Sequence, residues 1–201
     1  GTRFILNLAP VTVVTPTLID TADPLIVNET EAWQVLRELG ESEGIRRADI
    51  NAQVRALLNY CPSVVISMSD RGSIYAEAEV DGGDGIIWHQ PAVVVPDEET
   101  VDITGAGDAF VGTIAAELAR GGDLGRAVAL GTCAGSHAVR SLGATAPPRP
   151  SARAASTVAD NAACGARRRA SSWANPASSK PSRSASPRPG GRASQRRNAA
   201  S

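Results

Sequence analysis

Apolar residues through residue 142 fall into short runs that alternate with segments of helical spacing. The runs that predict buried strands are RFILNLAP at residues 3–10, LIV at residues 25–27 and SVVISMS at residues 63–69. Helical spacing predicts helices within residues 31–39, 50–60, 101–120 and 124–142, and the many small residues of the last one predict close packing. Strands that alternate with helices predict an α/β fold built on a parallel sheet.

An antiparallel hairpin is predicted at one edge of this sheet. IYAEAEV, residues 74–80, alternates apolar and polar residues, which is typical of a strand with one exposed face. Residues 82–85 predict a turn, and IIWHQPAVVVP at residues 86–96 is expected to return as the next strand. Ligands of such sheets bind where parallel strands end, which is where the turns at Asn28, Ser69 and Gly105 fall.

Composition changes near residue 148. Residues 1–150 carry 10 Arg against 20 acidic residues, whereas residues 151–201 carry 10 basic residues and one acid. The latter contain no Leu, Ile, Met, Phe or Tyr, so they cannot bury enough surface to offset the entropy of ordering. We therefore predict a folded domain over residues 1–148 and a disordered basic tail over residues 149–201. The tail shows no nucleic-acid recognition motif, and nucleic-acid binding is not expected.

The cysteines and the hydropathy pattern bear on the compartment. Cys61, Cys133 and Cys164 are widely spaced, lack the pair spacing of metal sites, and do not predict a disulfide framework. No apolar run approaches the roughly 18 residues that span a bilayer. We expect a cytoplasmic protein that does not enter the membrane.

VDITGAGDAFVGT, residues 101–113, carries the strongest candidate chemistry. A helix is predicted to begin near Gly107 or Asp108, so Gly-Ala-Gly-Asp lies at a helix N-terminus, where free backbone N–H groups favour anions. Asp108 has two alternative roles there. It could cap the helix, or it could accept a hydroxyl proton during phosphoryl transfer while the adjacent amides hold the phosphoryl group.

Asn28 and Glu31 also allow two interpretations, which are compatible with each other. Asn28 could cap the helix that follows the strand, with Glu31 completing a capping box. Both could also bind a ligand at the end of the strand. His89 and His137 show no neighbour that suggests nucleophilic catalysis and are expected to be structural.

Three of these motifs resemble motifs of the ribokinase family of carbohydrate kinases, the PfkB group. VDITGAGDAFVG is similar to the family signature D-T-T-G-A-G-D-x-F-x-G, and NETE at residues 28–31 is similar to the family's N-x-x-E. SMSDRG at residues 67–72 resembles the nucleotide turn T-L-G-x-x-G, with Ser69 in the place of the first glycine.

Two flanking segments extend the resemblance in the same order along the chain. ILNLAP resembles the family's I-L-N-P-A-P strand end, and AVRSLGATAP resembles its A-V-T-R-x-G-A closing segment. The resemblance covers residues 1–148. It implies a ribokinase-like three-layer α/β/α fold that is incomplete, because the family's N-terminal half is absent.

The resemblance also implies roles for individual residues. Asp108 would bind the sugar and act as general base on its hydroxyl, and the amides of Gly105, Ala106 and Gly107 would form an anion hole for the γ-phosphoryl group. The residues that match nucleotide-binding positions, and would bind ATP, are Asn28, Ser67, Met68, Ser69, Asp70, Arg71, Gly72, Gly107, Asp108 and Thr132. Glu31 would hold Mg²⁺ through water. The residues that match a K⁺ site are Asp102, Thr104, Ala138 and Gly143.

The implied reaction is ATP-dependent phosphorylation of D-ribose to D-ribose 5-phosphate. Another sugar or nucleoside kinase of the group, such as a fructokinase or an adenosine kinase, is the alternative within the enzyme class. A third alternative is a non-catalytic remnant, because the half that binds the sugar is absent. The partners implied are the sugar and ATP, together with a second copy of the chain, since full-length family members can form homodimers.

Overall fold

The computed structural model describes residues 2–79, 85–143 and 168–170. The described strands form one sheet in the order β1-β2-β3-β4-β5-β6. Their bounds are β1 Leu6–Asn7, β2 Leu25–Asn28, β3 Ser63–Ser67, β4 Ser73–Glu77, β5 Trp88–Gln90 and β6 Arg168–Arg169. The first three strands are parallel and each later pair is antiparallel. The predicted parallel sheet with an antiparallel hairpin is confirmed.

The helices of the described residues cover both faces of this sheet. Their bounds are α1 Pro16–Asp20, α2 Glu29–Glu38, α3 Ile50–Leu58, α4 Ala106–Ala119 and α5 Leu124–Ala138. Successive strand residues point to opposite faces, so Leu25 and Val27 join the core that includes α2 and α3 residues, while Ile26 joins the core built with α4 and α5. The structure therefore has the expected three layers.

Helices α4 and α5 pack against each other at a glycine. A Cβ on Gly131 would lie 2.9 Å from the carbonyl oxygen of Phe110 and 3.0 Å from Cγ1 of Ile114, so a larger residue would force the helices apart. Phe110, Ile114 and Val128 are buried in the core that these helices share with the sheet. The close packing predicted from the small residues of α5 is confirmed.

Two strand predictions need correction. β4 was expected to expose one face, but residues 73–76 are buried because helices cover both sides of the sheet. β5 is shorter than the predicted strand over residues 86–96. It ends before Pro91, which has no N–H to donate to a neighbouring strand. Residues 80–84, which include most of the predicted turn at residues 82–85, lie outside the described residues.

Two elements were not predicted. Helix α1 begins after Thr15, whose side chain accepts a hydrogen bond from the N–H of Leu18, and Pro16 occupies its first turn. Strand β6 comes from the tail that was expected to be disordered. It pairs with β5, and Ala170 beside it is 1% exposed in the core, so that expectation is wrong at residues 168–170. The rest of the tail lies outside the described residues.

The cysteines differ in state. Cys61 is a free thiol and is buried, whereas Cys133 is disulfide-bonded, which the spacing of the cysteines did not predict. Desolvation by burial raises the pKa of the Cys61 thiol from 9.0 to about 12. Among the described residues, no helix is long and apolar enough to cross a membrane.

Gly72 fixes the turn between β3 and β4 against the segment that follows β5. Its φ is +86°, and a Cβ there would lie 2.1 Å from the carbonyl oxygen of Gln90 and 2.6 Å from the nitrogen of Ala92. Backbone atoms cannot move aside as a flexible side chain can. Glycine is therefore required at this position both by the φ value and by the close approach.

Gly72→Ala is expected to destabilise the fold by about 3 kcal/mol or more, because strain from positive φ adds to overpacking. Gly44→Ala is the matched control, since Gly44 has φ +78° and a Cβ added there would meet no atom within 4 Å. It should cost only about 1 kcal/mol. Urea unfolding of the full chain measures both, and equal losses would contradict the packing argument.

Cys61 is expected to resist alkylation by iodoacetamide at pH 8 in the native protein, because the thiolate is the reactive form and the folded pKa is about 12. In 8 M urea the thiol becomes reactive. Because the pKa of the Cys61 thiol is raised in the folded state, the protonated thiol favours folding below pH 9.0, and this contribution to stability declines as the pH rises above 9.0. Peptide mass mapping measures the labelling, and native labelling at the unfolded rate would contradict the burial.

Candidate functional site

The candidate site lies where β2 and β3 end and α4 begins. Asn28 pairs with Ser67 in the sheet register, so the ends of the two parallel strands are adjacent. Close contacts connect these ends to α4. The turn at Gly72 lies against the backbone of Gln90 and Ala92. The next residue, Val93, accepts a hydrogen bond from the Ser136 hydroxyl on α5 at 3.5 Å. Beside Ser136, Gly135 lies close to the carbonyl oxygen of Ala106 at the start of α4. The predicted turns therefore meet at one edge of the sheet.

A row of polar side chains crosses the sheet at this edge, on the face covered by α4 and α5. Residues paired across β2, β3, β4 and β5 form it, namely Asn28, Ser67, Ser73 and Gln90. The preceding row on the same face is apolar and consists of Ile26, Val65, Tyr75 and Trp88. The hydroxyl oxygen of Ser73 is buried and has no hydrogen-bond partner among the described residues. On this face of the sheet, apolar side chains thus give way to polar ones at the edge where α4 starts.

The first turn of α4 offers free backbone N–H groups. Gly105 is the N-cap, with φ +81° and no side-chain cap, and the N–H of Ala106 donates to the carbonyl of Ile103 at 3.3 Å. The N–H groups of Gly107 and Asp108 have no backbone partner within the described residues, as expected at a helix N-terminus. A Cβ on Gly107 would meet nothing within 4 Å. This turn can accept an anion.

The Asp108 side chain is exposed and makes no hydrogen bond or ion pair with any described residue. The alternative in which its side chain caps α4 is therefore not supported, because Gly105 occupies the cap position and no side chain caps the helix. The carboxylate is available to a ligand. It stands beside the partial positive charge of the helix N-terminus, with which a negative charge interacts favourably.

Asn28 and Glu31 form the predicted capping box at the start of α2. The Asn28 side-chain oxygen accepts from the N–H groups of Thr30 and Glu31, each at 2.9 Å, and Glu31 Oε2 accepts from the N–H of Asn28 at 2.8 Å. The second carboxylate oxygen of Glu31 is bonded to none of the described residues. The structural interpretation is confirmed, and one oxygen remains for a ligand.

The turn after β3, residues 68–72, is held by its own backbone. Met68 N–H donates to Gly72 at 2.7 Å, Arg71 N–H to Met68 at 3.1 Å, and Gly72 N–H to Ser69 at 3.1 Å. Ser69 has φ +57°, the conformation that glycine adopts at less cost, which explains why the family pattern has glycine there. Ser69 and Asp70 are exposed at its tip.

Arg71 connects this turn to two other elements. Its guanidinium forms an ion pair with Glu29 in the first turn of α2, and its carbonyl accepts a hydrogen bond from Nε2 of His89 on β5 at 2.8 Å. Glu29 was not predicted as part of the site, whereas His89 was expected to be structural, and its hydrogen bond to the Arg71 carbonyl agrees with that expectation. The only signal was the position of Glu29 beside Asn28, within the N-x-x-E motif.

Hydrogen bonds connect the loop that precedes the first turn of α4 to the end of α5. Asp102 Oδ1 accepts from the N–H of Thr104 at 2.9 Å and Oδ2 from the N–H of Gly143 at 3.0 Å, while the N–H of Asp102 donates to Val139 at 3.1 Å. Hydrogen bonds from the Thr104 N–H and hydroxyl, and then from Gly143, lower the pKa of Asp102. Asp102, Thr104 and Gly143 therefore lie together, with Ala138 adjacent to Val139 in sequence.

Two predicted nucleotide residues face away from solvent. Met68 is 1% exposed and belongs to the core shared with α2 and α3. Thr132 is buried within α5, and its hydroxyl donates to the carbonyl of Val128 at 2.9 Å. Their burial does not support the predicted contact of these two side chains with a nucleotide, whereas Asn28, Ser69 and Asp108 are exposed.

Glu31 and Asp102 offer different ligand sets to the Mg²⁺ and K⁺ ions that the family resemblance implies. The described residues contain no cluster of three or more His, Cys, Asp or Glu side chains able to hold a metal ion. Glu31 with one available oxygen suits a hydrated Mg²⁺ that also binds phosphate oxygens, because Mg²⁺ keeps several waters. The carboxylate of Asp102 accepts from the Thr104 N–H and hydroxyl and from the Gly143 N–H, and a carboxylate has about four lone-pair sites, so acceptor capacity remains for a monovalent cation.

Comparison with known proteins places this chain in a family. Residues 3–152 match the family described as pfkB family carbohydrate kinase. The chain is 32% identical over 135 residues to the adenosine kinase of Schizosaccharomyces pombe, which covers 65% of this chain and 37% of the relative. It is 30% identical over 131 residues to adenosine kinase 1 of Arabidopsis thaliana, covering 64% and 36%.

The fold resembles solved ribokinases. The ribokinase of Thermotoga maritima aligns with a TM-score of 0.62 at 24% identity over 77% of this chain and 48% of that one. The ribokinase of Arabidopsis thaliana, complexed with ribose and ATP, gives 0.59 at 24% identity over 78% and 47%. The chain spans about half the length of these structures and little more than a third of the curated relatives. With a family match over residues 3–152, the chain belongs to the pfkB family of carbohydrate kinases.

Proposed function

We propose that this chain is the nucleotide-binding part of an ATP-dependent kinase whose acceptor is the primary hydroxyl of a ribosyl unit, with D-ribose as the first candidate. The observation that carries the proposal is Asp108, an exposed carboxylate that bonds to no described residue and stands beside two free amides. A base and an anion site in contact are what phosphoryl transfer to an alcohol requires.

In this proposal Asp108 accepts the proton of the attacking hydroxyl. The N–H groups of Gly107 and Asp108, together with those of Gly105 and Ala106, face the γ-phosphoryl group as its charge moves. The N–H of Ala106 already donates to the carbonyl of Ile103, so the N–H groups of Gly107 and Asp108 are the stronger donors to a ligand. Because the turn is fixed on α4, these donors need no rearrangement at the moment of reaction.

The nucleotide would extend from the α4 turn across the ends of β2 and β3. Asn28, Ser67, Ser69, Asp70, Arg71 and Gly72 surround that path, and Glu31 would hold Mg²⁺ through water. Bound Mg²⁺ would supply charge neutralisation at the phosphates. K⁺ at Asp102, Thr104, Ala138 and Gly143 would fix the loop that precedes the anion-binding turn.

The names of the relatives support a ribosyl acceptor. They include adenosine kinases, a ribokinase complexed with ribose and ATP, and a nucleoside kinase in complex with inosine. Ribose, adenosine and inosine share a ribosyl unit with a primary hydroxyl. Adenosine is the second candidate acceptor, favoured by the identity of 32% to the adenosine kinase of Schizosaccharomyces pombe.

Asp108→Asn is expected to lower turnover about 10²–10⁴-fold, because the amide cannot accept the proton. Stability should change by less than about 1 kcal/mol, since only the helix-dipole interaction of an exposed side chain is lost. A coupled assay of ADP release with ribose, fructose and adenosine measures the activity of the full chain. Absence of turnover with every acceptor would refute the proposal for this chain and favour a non-catalytic remnant.

Gly107→Ala is expected to separate stability from activity. A Cβ there would meet no atom of the described residues within 4 Å, so alanine should stabilise α4 by up to about 1 kcal/mol. The same methyl group would obstruct the approach of phosphate, and kcat/KM for ATP should fall about tenfold or more. Gly112→Ala, also on α4 with nothing within 4 Å, is the matched control and should stabilise without loss of activity. Equal activity of the two variants would contradict the anion hole.

A further inference from the structure

Both the side chain and the backbone of Arg71 are held by contacts with other elements. Its guanidinium pairs with Glu29, with the two side chains 26% and 33% exposed, and its carbonyl accepts from His89 at 2.8 Å. Glu29 belongs to α2 and His89 to β5, so the turn of residues 68–72 is connected to an element on each side. Gly72 holds the same turn in close contact with the segment after β5.

The contacts on the β5 side alone do not set the distance between the turn and α2. The backbone N–H groups of Met68, Arg71 and Gly72 donate within the turn, while His89 and Gly72 connect the turn to β5 and the segment that follows. The Glu29–Arg71 ion pair adds a side-chain contact to α2, whose N-cap Asn28 already lies beside Ser67 through the pairing of β2 with β3. This pair therefore links the two motifs that would share one nucleotide.

Two interpretations of the ion pair make opposite predictions. In one, Arg71 is a phosphate ligand and Glu29 competes with the nucleotide for its guanidinium. In the other, Glu29 and Arg71 hold the turn in the position that receives the nucleotide. Since the His89 bond fixes the Arg71 backbone, and the N-terminus of α2 stabilises the Glu29 carboxylate, both partners are constrained before any ligand arrives.

We infer that Glu29 and His89 are positioning residues for nucleotide binding, acting through Arg71 to keep residues 68–72 in register with the start of α2. This inference rests on the proposed function in assuming that the ligand is ATP. Arg71 neutralises Glu29, which would otherwise repel phosphates at the same edge of the sheet. The effect is on nucleotide affinity rather than on the proton transfer at Asp108.

The first test is calorimetric titration of the full chain with Mg-ATP. Glu29→Gln and Arg71→Gln should each weaken binding about threefold to tenfold, and the double variant should be no weaker than either single variant, because the partners act as one unit. Glu38→Gln, at the other end of α2, removes the same charge and should bind as the wild type does. Tighter binding by Glu29→Gln would overturn the inference in favour of competition.

His89 is tested by a pair of substitutions. His89→Gln can retain an N–H donor toward the Arg71 carbonyl and should preserve most of the affinity, whereas His89→Leu cannot and should lose it about threefold to tenfold. In the ADP-release assay these losses should appear in KM for ATP, with kcat and KM for the acceptor unchanged. A loss confined to kcat would overturn the positioning role.

A second measurement does not depend on the ligand. Hydrogen exchange of the amides of Met68, Arg71 and Gly72, without nucleotide, should accelerate severalfold in Glu29→Gln while that of β3 stays unchanged. If the wild type binds no ATP, the proposed function fails and this exchange alone decides the inference. Unchanged exchange in the turn would overturn it, and faster exchange would support it.

Discussion

The free N–H groups at the start of α4 are the feature on which the rest of the site depends. A helix always leaves such groups, but their position here is set by packing. Helix α4 lies against α5 at Gly131, and Asp102 ties the loop before α4 to Gly143 beyond α5. The first turn of α4 is thus held in place by the packing of two helices that cover one face of the sheet.

The same edge of the sheet combines structural and chemical roles in single residues. Asn28 ends β2, caps α2 and joins the polar row across the sheet. Glu31 uses one carboxylate oxygen in the capping box and leaves the other. The helix therefore stabilises the geometry that a hydrated cation would need, because the capping bond orients the carboxylate before any ligand binds.

Local patterns allowed much of the fold to be predicted. Apolar runs and helical spacing identified β2, β3, α2, α3, α4 and α5, because burial on a sheet or against a helix face leaves a period in the sequence. Helix α1 was missed although Thr15 and Pro16 are capping signals. Strand β6 could not be foreseen, since Arg-rich tail residues carry no strand pattern and pair only because β5 offers an open edge. The burial of β4 on both faces was missed for a related reason. The exposure of β4 depends on the helices that pack on each face of the sheet.

The sequence by itself determined which residues are candidates for the site, because a glycine-rich turn before a helix, an aspartate in its first turn and the N-x-x-E motif are local features. Only the tertiary structure decided which of these meet. The pairing of Glu29 with Arg71, the bond from His89 to the turn and the row that joins Asn28 to Gln90 all cross between elements distant in the chain. Such contacts arise from sheet register and helix packing, which no single segment encodes.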